Sequence, residues 1–218
     1  MPAKTEKRAP EPHWPAMLGA IGTGLMYYVM PESLTFGPKW LLLALIALIL
    51  VPSFLTLRAG RLQFHSILAC TGLIIITIAL ISSLALLVTR LPGHKDTPVE
   101  LLRAAAALWI SNTLVFASWY WRLDAGGPHE RDKRGVHIDG AFLFPQMVMD
   151  DDLKRRMGEE NWSPGFVDYL FLAFNTSTAF SPTDVPVLSR WAKVMMIIQS
   201  VISLMTIALL AARAVNIL

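Results

Sequence analysis

Charge is scarce in this sequence. Asp, Glu, Lys and Arg make up 16% of its 218 residues, where an ordinary soluble domain carries about 25%. That shortage argues against a soluble fold, which needs more polar surface to cover a core of this size. Cysteine is nearly absent. Cys70 stands alone, so an intramolecular disulfide is impossible and redox compartment cannot be read from cysteine usage. Catalytic motifs are missing too: there is no nucleophile elbow, phosphate loop or zinc spacing. His129, Glu130, His137 and the triplet Asp150, Asp151, Asp152 match no metal-ligand spacing. The expectation is a protein that is not an enzyme and uses neither metal nor cofactor. The net charge of +3 is mild and its basic residues lie in loops beside apolar segments, so no nucleic-acid partner is expected.

What the sequence has in abundance is long apolar runs. A spanning helix needs about 20 apolar residues, and segments 38–57, 66–89, 98–121 and 191–217 meet that length. Segment 16–31 is weaker, bounded by Pro15 and Pro31, and 164–180 is short and polar at one end. The fold expected is an all-α polytopic membrane helix bundle of five or six spans, in contact with the lipid bilayer, with a short half-helix or re-entrant-like hairpin before the last span. The divisions expected are a polar N-terminal tail (1–15), a four-helix transmembrane region (16–121), a polar loop (122–163) and a final unit (164–218). The charged-then-apolar order at the N-terminus lacks an A-x-A-like cleavage site and reads as a first span or signal anchor that stays. Gly19, Gly22 and Gly24 suggest close helix approach. Trp14, Trp40, Trp119, Trp121 and Trp191 fall near span ends, as an aromatic belt does.

Cytoplasmic loops carry the excess of Lys and Arg. With a cytoplasmic N-terminus and six spans, 13 of the 19 fall inside and 6 outside; if 164–180 re-enters, the split is 14 to 5. Either way the N-terminus is expected in the cytoplasm, and charge does not decide whether 164–180 crosses.

That segment carries the polar chemistry. Pro164 suits a helix's first turn and Asp168 its positive end. An aromatic stretch, Tyr169 to Phe174, gives way to Asn175, Thr176, Ser177 and Thr178, then to Ser181, Pro182, Thr183, Asp184 and Pro186. The two prolines exclude a regular helix there. Irregular backbone at membrane depth is tolerated only when buried in protein or lining a water-filled cavity. An ordinary short span with a Pro-containing exit turn is the competing reading. Elsewhere, Glu100 and Arg103 are spaced for an i,i+3 ion pair or a gating pair. Asn112 is expected to hydrogen-bond between helices, and Gln199 to do the same or to line a pathway.

The stretch Tyr169 to Asn216 resembles the pore module of tetrameric potassium-channel-like proteins. Thr178, Asp184, Pro186 and Arg190 fall where that pattern puts its filter-entry Thr, its Asp, its Pro and its Arg. The family's Thr-x-Gly-Tyr-Gly filter is replaced by Thr178-Ala179-Phe180-Ser181-Pro182. Phe and Pro do not take the glycine conformations that aim filter carbonyls. The family's loop also enters from outside, opposite to the charge count here. A wider resemblance, in segment order, is to a family of uncharacterised bacterial polytopic inner-membrane proteins, a domain of unknown function. It rests on Leu57-Arg58, Ser82-Ser83-Leu84, Trp119-Tyr120, Phe144-Pro145, Asp168 to Phe174 and Thr183-Asp184-Val185.

The function expected is a channel-like permeation protein for cations or small solutes, non-selective or atypically selective. Its site residues would be Asn175, Thr176, Ser177, Thr178, Ser181, Thr183, Asp184 and Gln199, with Glu100, Arg103, Asn112, Asp168, Pro182 and Pro186 in structural or gating roles. The resemblance implies a homo-oligomer, a tetramer if the channel pattern holds. The alternative is a non-conducting membrane scaffold whose 122–163 loop docks a cytosolic partner.

Overall fold

The computed structural model describes residues 11–90, 97–134, 137, 139–178 and 185–215. It is an all-α bundle. In chain order the helices are α1 (Trp14–Val29), α2 (Leu41–Arg58), α3 (Leu62–Arg90), α4 (Pro98–Leu123), α5 (Pro128–Arg134), α6 (Pro145–Val148), α7 (Asp151–Met157), α8 (Phe166–Thr178) and α9 (Arg190–Val215). Four stretches, centred on α2, α3, α4 and α9, are long and apolar enough to cross a bilayer, which makes this a membrane protein. At 16 and 13 residues, α1 and α8 are about 24 and 20 Å long, at about 1.5 Å per residue. Both are short of the roughly 30 Å hydrocarbon core.

The core is mainly apolar, but large apolar side chains also cover the outside. Leu48 (70% exposed), Ile67 (62%) and Leu204 (61%) face outward, while Asn112, Gln199 and Thr206 are fully buried. Polar side chains in lipid are stable only when another helix supplies their partners. Helix α4 is the central post: 67% of its apolar window is buried, against 17% for α2 and 22% for α9. It starts on a capping box, in which the Thr97 hydroxyl accepts from the Glu100 amide and the Glu100 carboxylate accepts from the Thr97 amide at 2.8 Å. Glu100 is therefore spent on capping. Among the described residues it makes no ion pair with Arg103, which is exposed. The glycines of α1 do let helices close in: a Cβ on Gly24 would meet Leu43 at 2.7 Å.

Two sequence readings need correction. Glu11 is not part of a free polar tail; it is buried against Trp121 and Arg131. Segment 122–163 is not simply a polar loop either. It holds α5, α6 and α7, and it buries Asp124, Arg131, Phe142 and Phe144 under the bundle. Its apolar residues are too sparse to register as a helix face, yet Phe142 stacks edge-on to Tyr120, Tyr169 and Trp191. The turn out of α4 depends on Gly127, which has φ +94° and whose Cβ would sit 2.7 Å from the Arg122 carbonyl. Gly127→Ala is expected to cost more than about 1 kcal/mol and to lower the melting temperature in detergent. An unchanged melting temperature would mean that this turn relaxes freely.

The chain enters and leaves the α8 hairpin at the same end of the bundle. Near the start of α8, Tyr169 donates to Asp124, just past the end of α4, at 2.6 Å. Thr178, at the other end of α8, borders Trp109 and Ile110 deep along α4. Yet Leu143 N–H donates to the Pro186 carbonyl (2.9 Å) and Leu188 N–H to the Ala141 carbonyl (2.7 Å). These bonds pin the exit beside Phe142 and hence beside Tyr169 again. The hairpin is re-entrant, and α9 then runs antiparallel to α4. Of the two charge distributions, this geometry corresponds to 14 against 5.

Candidate functional site: the polar core around the re-entrant helix

A helix that ends inside a membrane protein leaves its last carbonyls without intrahelical donors. Here α4 and α9 supply them. Trp109 Nε1–H donates to the Ser177 carbonyl at 3.3 Å and Ser200 Oγ–H to the Thr176 carbonyl at 3.4 Å. Gln199, 0% exposed, is the hub. Its Nε2 donates to the Ala173 carbonyl (2.6 Å) and to Ser177 Oγ (2.7 Å), and its Oε1 accepts from the Tyr120 hydroxyl (2.6 Å). Asn112 Nδ2 donates to the Gln199 backbone carbonyl at 3.1 Å, and Thr113 Oγ1 lies 3.1 Å from Ser177 Oγ. Three helices are thus tied at one level by side chains that packing alone would not select.

Of the residues picked from sequence, Asn112, Thr176, Ser177 and Gln199 meet in this core. Asn175 and Thr178 are half-buried at its margin, with Thr178 Oγ1 donating to the Asn175 carbonyl at 2.9 Å. Asp168 caps the start of α8 by accepting from Gly165 N–H at 2.7 Å. Pro186 is exposed, and its carbonyl anchors the exit strand. Ser181, Pro182, Thr183 and Asp184 lie outside the described residues. On α9, Gln199, Ser203 and Thr206 are turned into the bundle, while the outer face is Val194, Ile197, Val201 and Leu204. That polar face of α9 is therefore buried inside the chain. It packs against α4 and α8.

Sequence reasoning missed a second cluster that seats the start of the hairpin. Arg131, whose side chain is 1% exposed, pairs with Glu11 at 2.9 Å and donates to the carbonyls of Trp121 and Asp124, both at 2.9 Å. Its guanidinium lies 5.2 Å from the centre of the Tyr169 ring. Trp121 Nε1–H also donates to Glu11, so this Trp is buried in the cluster and does not join a belt. Asp124 accepts from Tyr169 O–H and from Ala141 N–H, with His137 Nε2 3.6 Å away. The only sequence signal was the run His129 to Arg134, where one Arg among several charges is indistinguishable from a solvated one.

Next to this cluster, burial and then the neighbouring His65 push the His13 imidazole down to about 4. The folded protein therefore refuses a proton that the unfolded chain accepts near pH 6.5. This contribution to stability is present above pH 6.5 and is lost as pH falls from there towards 4. His13→Phe keeps the ring contacts to His65 and Trp121. Its melting temperature in detergent is expected to fall less than that of the wild type between pH 7 and pH 4.5. Parallel curves would remove His13 from the pH response. No family model, curated protein or solved structure matches this chain.

Proposed function

We propose that this chain is the protomer of a homo-oligomeric, channel-like permeation protein for cations or small solutes, built around a re-entrant half-helix. The observation that carries the reading is α8. It is 13 residues long, seated between the two long helices α4 and α9, and returned to its own side of the bundle at Pro186. Half-helices ending at membrane depth recur in pores and transporters because their polar ends face a permeating species. Ser181, Thr183 and Asp184 are the further polar candidates that the sequence offers, and the missing filter glycines argue for atypical selectivity. On the positive-inside rule the basic end is cytoplasmic, so the hairpin enters from the cytoplasmic side of a bacterial inner membrane. Asp184→Asn and Thr178→Ala are expected to change cation flux from proteoliposomes at least several-fold. Flux equal to that of empty liposomes, with inserted protein, rejects the reading.

One observation favours the second reading, a non-conducting scaffold. The polar side chains of α8 and α9 are largely consumed inside the protomer, while α7 presents Asp151, Asp152, Lys154, Arg155 and Arg156 to the side where a cytosolic partner would dock. Absence of flux, together with a partner lost on reversing those charges, selects it.

A further inference from the structure

A cleft opens between α1, α2, α3 and α4, away from the hairpin. Its deep walls are apolar, with Met17, Ile46, Ile49, Leu73 and Ile76 among them, and its end at the α2–α3 turn is polar, formed by His13, Ser53, His65, Ser118 and Arg122. Its interior volume is about 60 Å³, room for about four waters at roughly 15 Å³ each, or for a few methylene groups. Water in the apolar part would lack the two to four polar partners it needs.

The polar end has unmet demand. His65 is 5% exposed. Its Nδ1 lies 3.0 Å from the Ser53 carbonyl and 2.9 Å from Ser53 Oγ. With the proton on Nδ1, bonding the carbonyl, Nε2 is an acceptor; with Ser53 Oγ–H donating to Nδ1, Nε2 is a donor. That Nε2 is buried and has no hydrogen-bond partner, and the same holds for His13 Nδ1 beside it. Leaving such groups unpaired in a low-dielectric site is costly. Arg122 lies against the Trp121 ring at 5.5 Å, and among the described residues no carboxylate pairs with it. Arg58 and Arg61 stand exposed at the α2–α3 turn, and the chain has no Asp or Glu between Glu32 and Asp96; the carboxylate of Glu11, beside Trp121, is already paired with Arg131.

We propose that this cleft is a binding site for an anionic, hydroxyl-bearing phospholipid. The phosphate lies against Arg122, a headgroup hydroxyl hydrogen-bonds His65 Nε2, and the first methylenes of one acyl chain lie along Ile46, Ile49 and Leu73. Arg58 and Arg61 attract the headgroup to the mouth, as juxtamembrane basic residues do at anionic leaflets. None of the lining residues belongs to the hairpin, and lipid binding is read out separately from permeation.

The probe is phosphatidylglycerol, with phosphatidylcholine as the comparison, added to the full-length protein in detergent. The readout is the rise in melting temperature with lipid concentration, which reports binding to the folded state. Phosphatidylglycerol is expected to give a saturating rise and phosphatidylcholine at least tenfold weaker binding. His65→Phe and Arg122→Gln should each raise the half-saturating concentration about tenfold. Ala69→Leu, which narrows the cleft, should do the same, and the lipid-dependent shift is scored against each variant's own starting value. Equal responses to the two lipids overturn the proposal. So does a phosphatidylglycerol response that survives all three cleft substitutions, which would assign it to general attraction by the basic surface.

Discussion

Arg131→Met is expected to be the most damaging single substitution in the protein, at about 3–5 kcal/mol, the range for breaking one side of a buried ion pair. The Arg131 side chain is 1% exposed and that of Glu11 6%. Removing the guanidinium strands the carboxylate and also the carbonyls of Trp121 and Asp124 that it serves. Burial already pushes the Glu11 carboxyl up, against the pull of Arg131. Once Arg131 is gone, protonation offers Glu11 an escape, so the deficit should shrink as pH falls and grow towards pH 8. Replacing both partners, as Glu11→Leu with Arg131→Met, should recover part of the loss, because an apolar pair carries no desolvation cost. The measurement is unfolding in detergent across pH. A deficit below about 1 kcal/mol at neutral pH, the level of an exposed pair, would show that water reaches the cluster.

Gln199→Leu ranks second. Leu matches Gln in bulk and suits the membrane, so any loss reports the hydrogen bonds. Three side-chain bonds disappear, to Ala173, Ser177 and Tyr120. At the mean of about 0.6 kcal/mol measured per interhelical bond in membranes, the loss is about 2 kcal/mol. The bonds to α8 also hold the half-helix at its depth, so protease sensitivity or hydrogen exchange at 173–178 should rise more than at α2 or α3. Equal change everywhere would make Gln199 a general packing residue. Tyr120→Phe removes only one of the three bonds and should cost about a third as much.

The bundle was legible in the sequence because its signal is additive. Twenty apolar residues in a row leave few alternatives, and α2, α3, α4 and α9 stand where their runs predict. The half-helix was partly legible for the same reason in reverse: a run closed by Pro182 and Pro186 is short for a full span, but an ordinary short span with a Pro-containing exit turn reads the same way. Its re-entrance was not legible. That rests on the pairing of 141–143 with 186–188, a contact between two segments without apolar periodicity. The destination of the polar residues was half legible. Asn112 reads from sequence as an interhelical hydrogen-bonder and Gln199 as that or a path-lining residue, but a residue that lines a path and one that bonds a neighbouring helix have the same side chain. Only the positions of Ala173, Ser177 and Tyr120 separate them. The Glu11–Arg131–Asp124–Tyr169 cluster was the least legible, because it joins residues up to 158 positions apart in sequence and each one alone looks like a surface charge or a belt aromatic.

Membrane sidedness of the hairpin is the property on which the rest depends. In a Cys70→Ser background, single cysteines at Val167 and Leu188, which are 69% and 56% exposed, flank the hairpin. One at Trp40, 60% exposed, marks the opposite end. A membrane-impermeant maleimide applied to inside-out and to right-side-out vesicles is expected to label Val167→Cys and Leu188→Cys from the same side, and Trp40→Cys from the other. Labelling of Val167→Cys and Leu188→Cys from opposite sides would mean that 164–187 crosses the bilayer, which would contradict the re-entrant half-helix and the channel-like reading built on it.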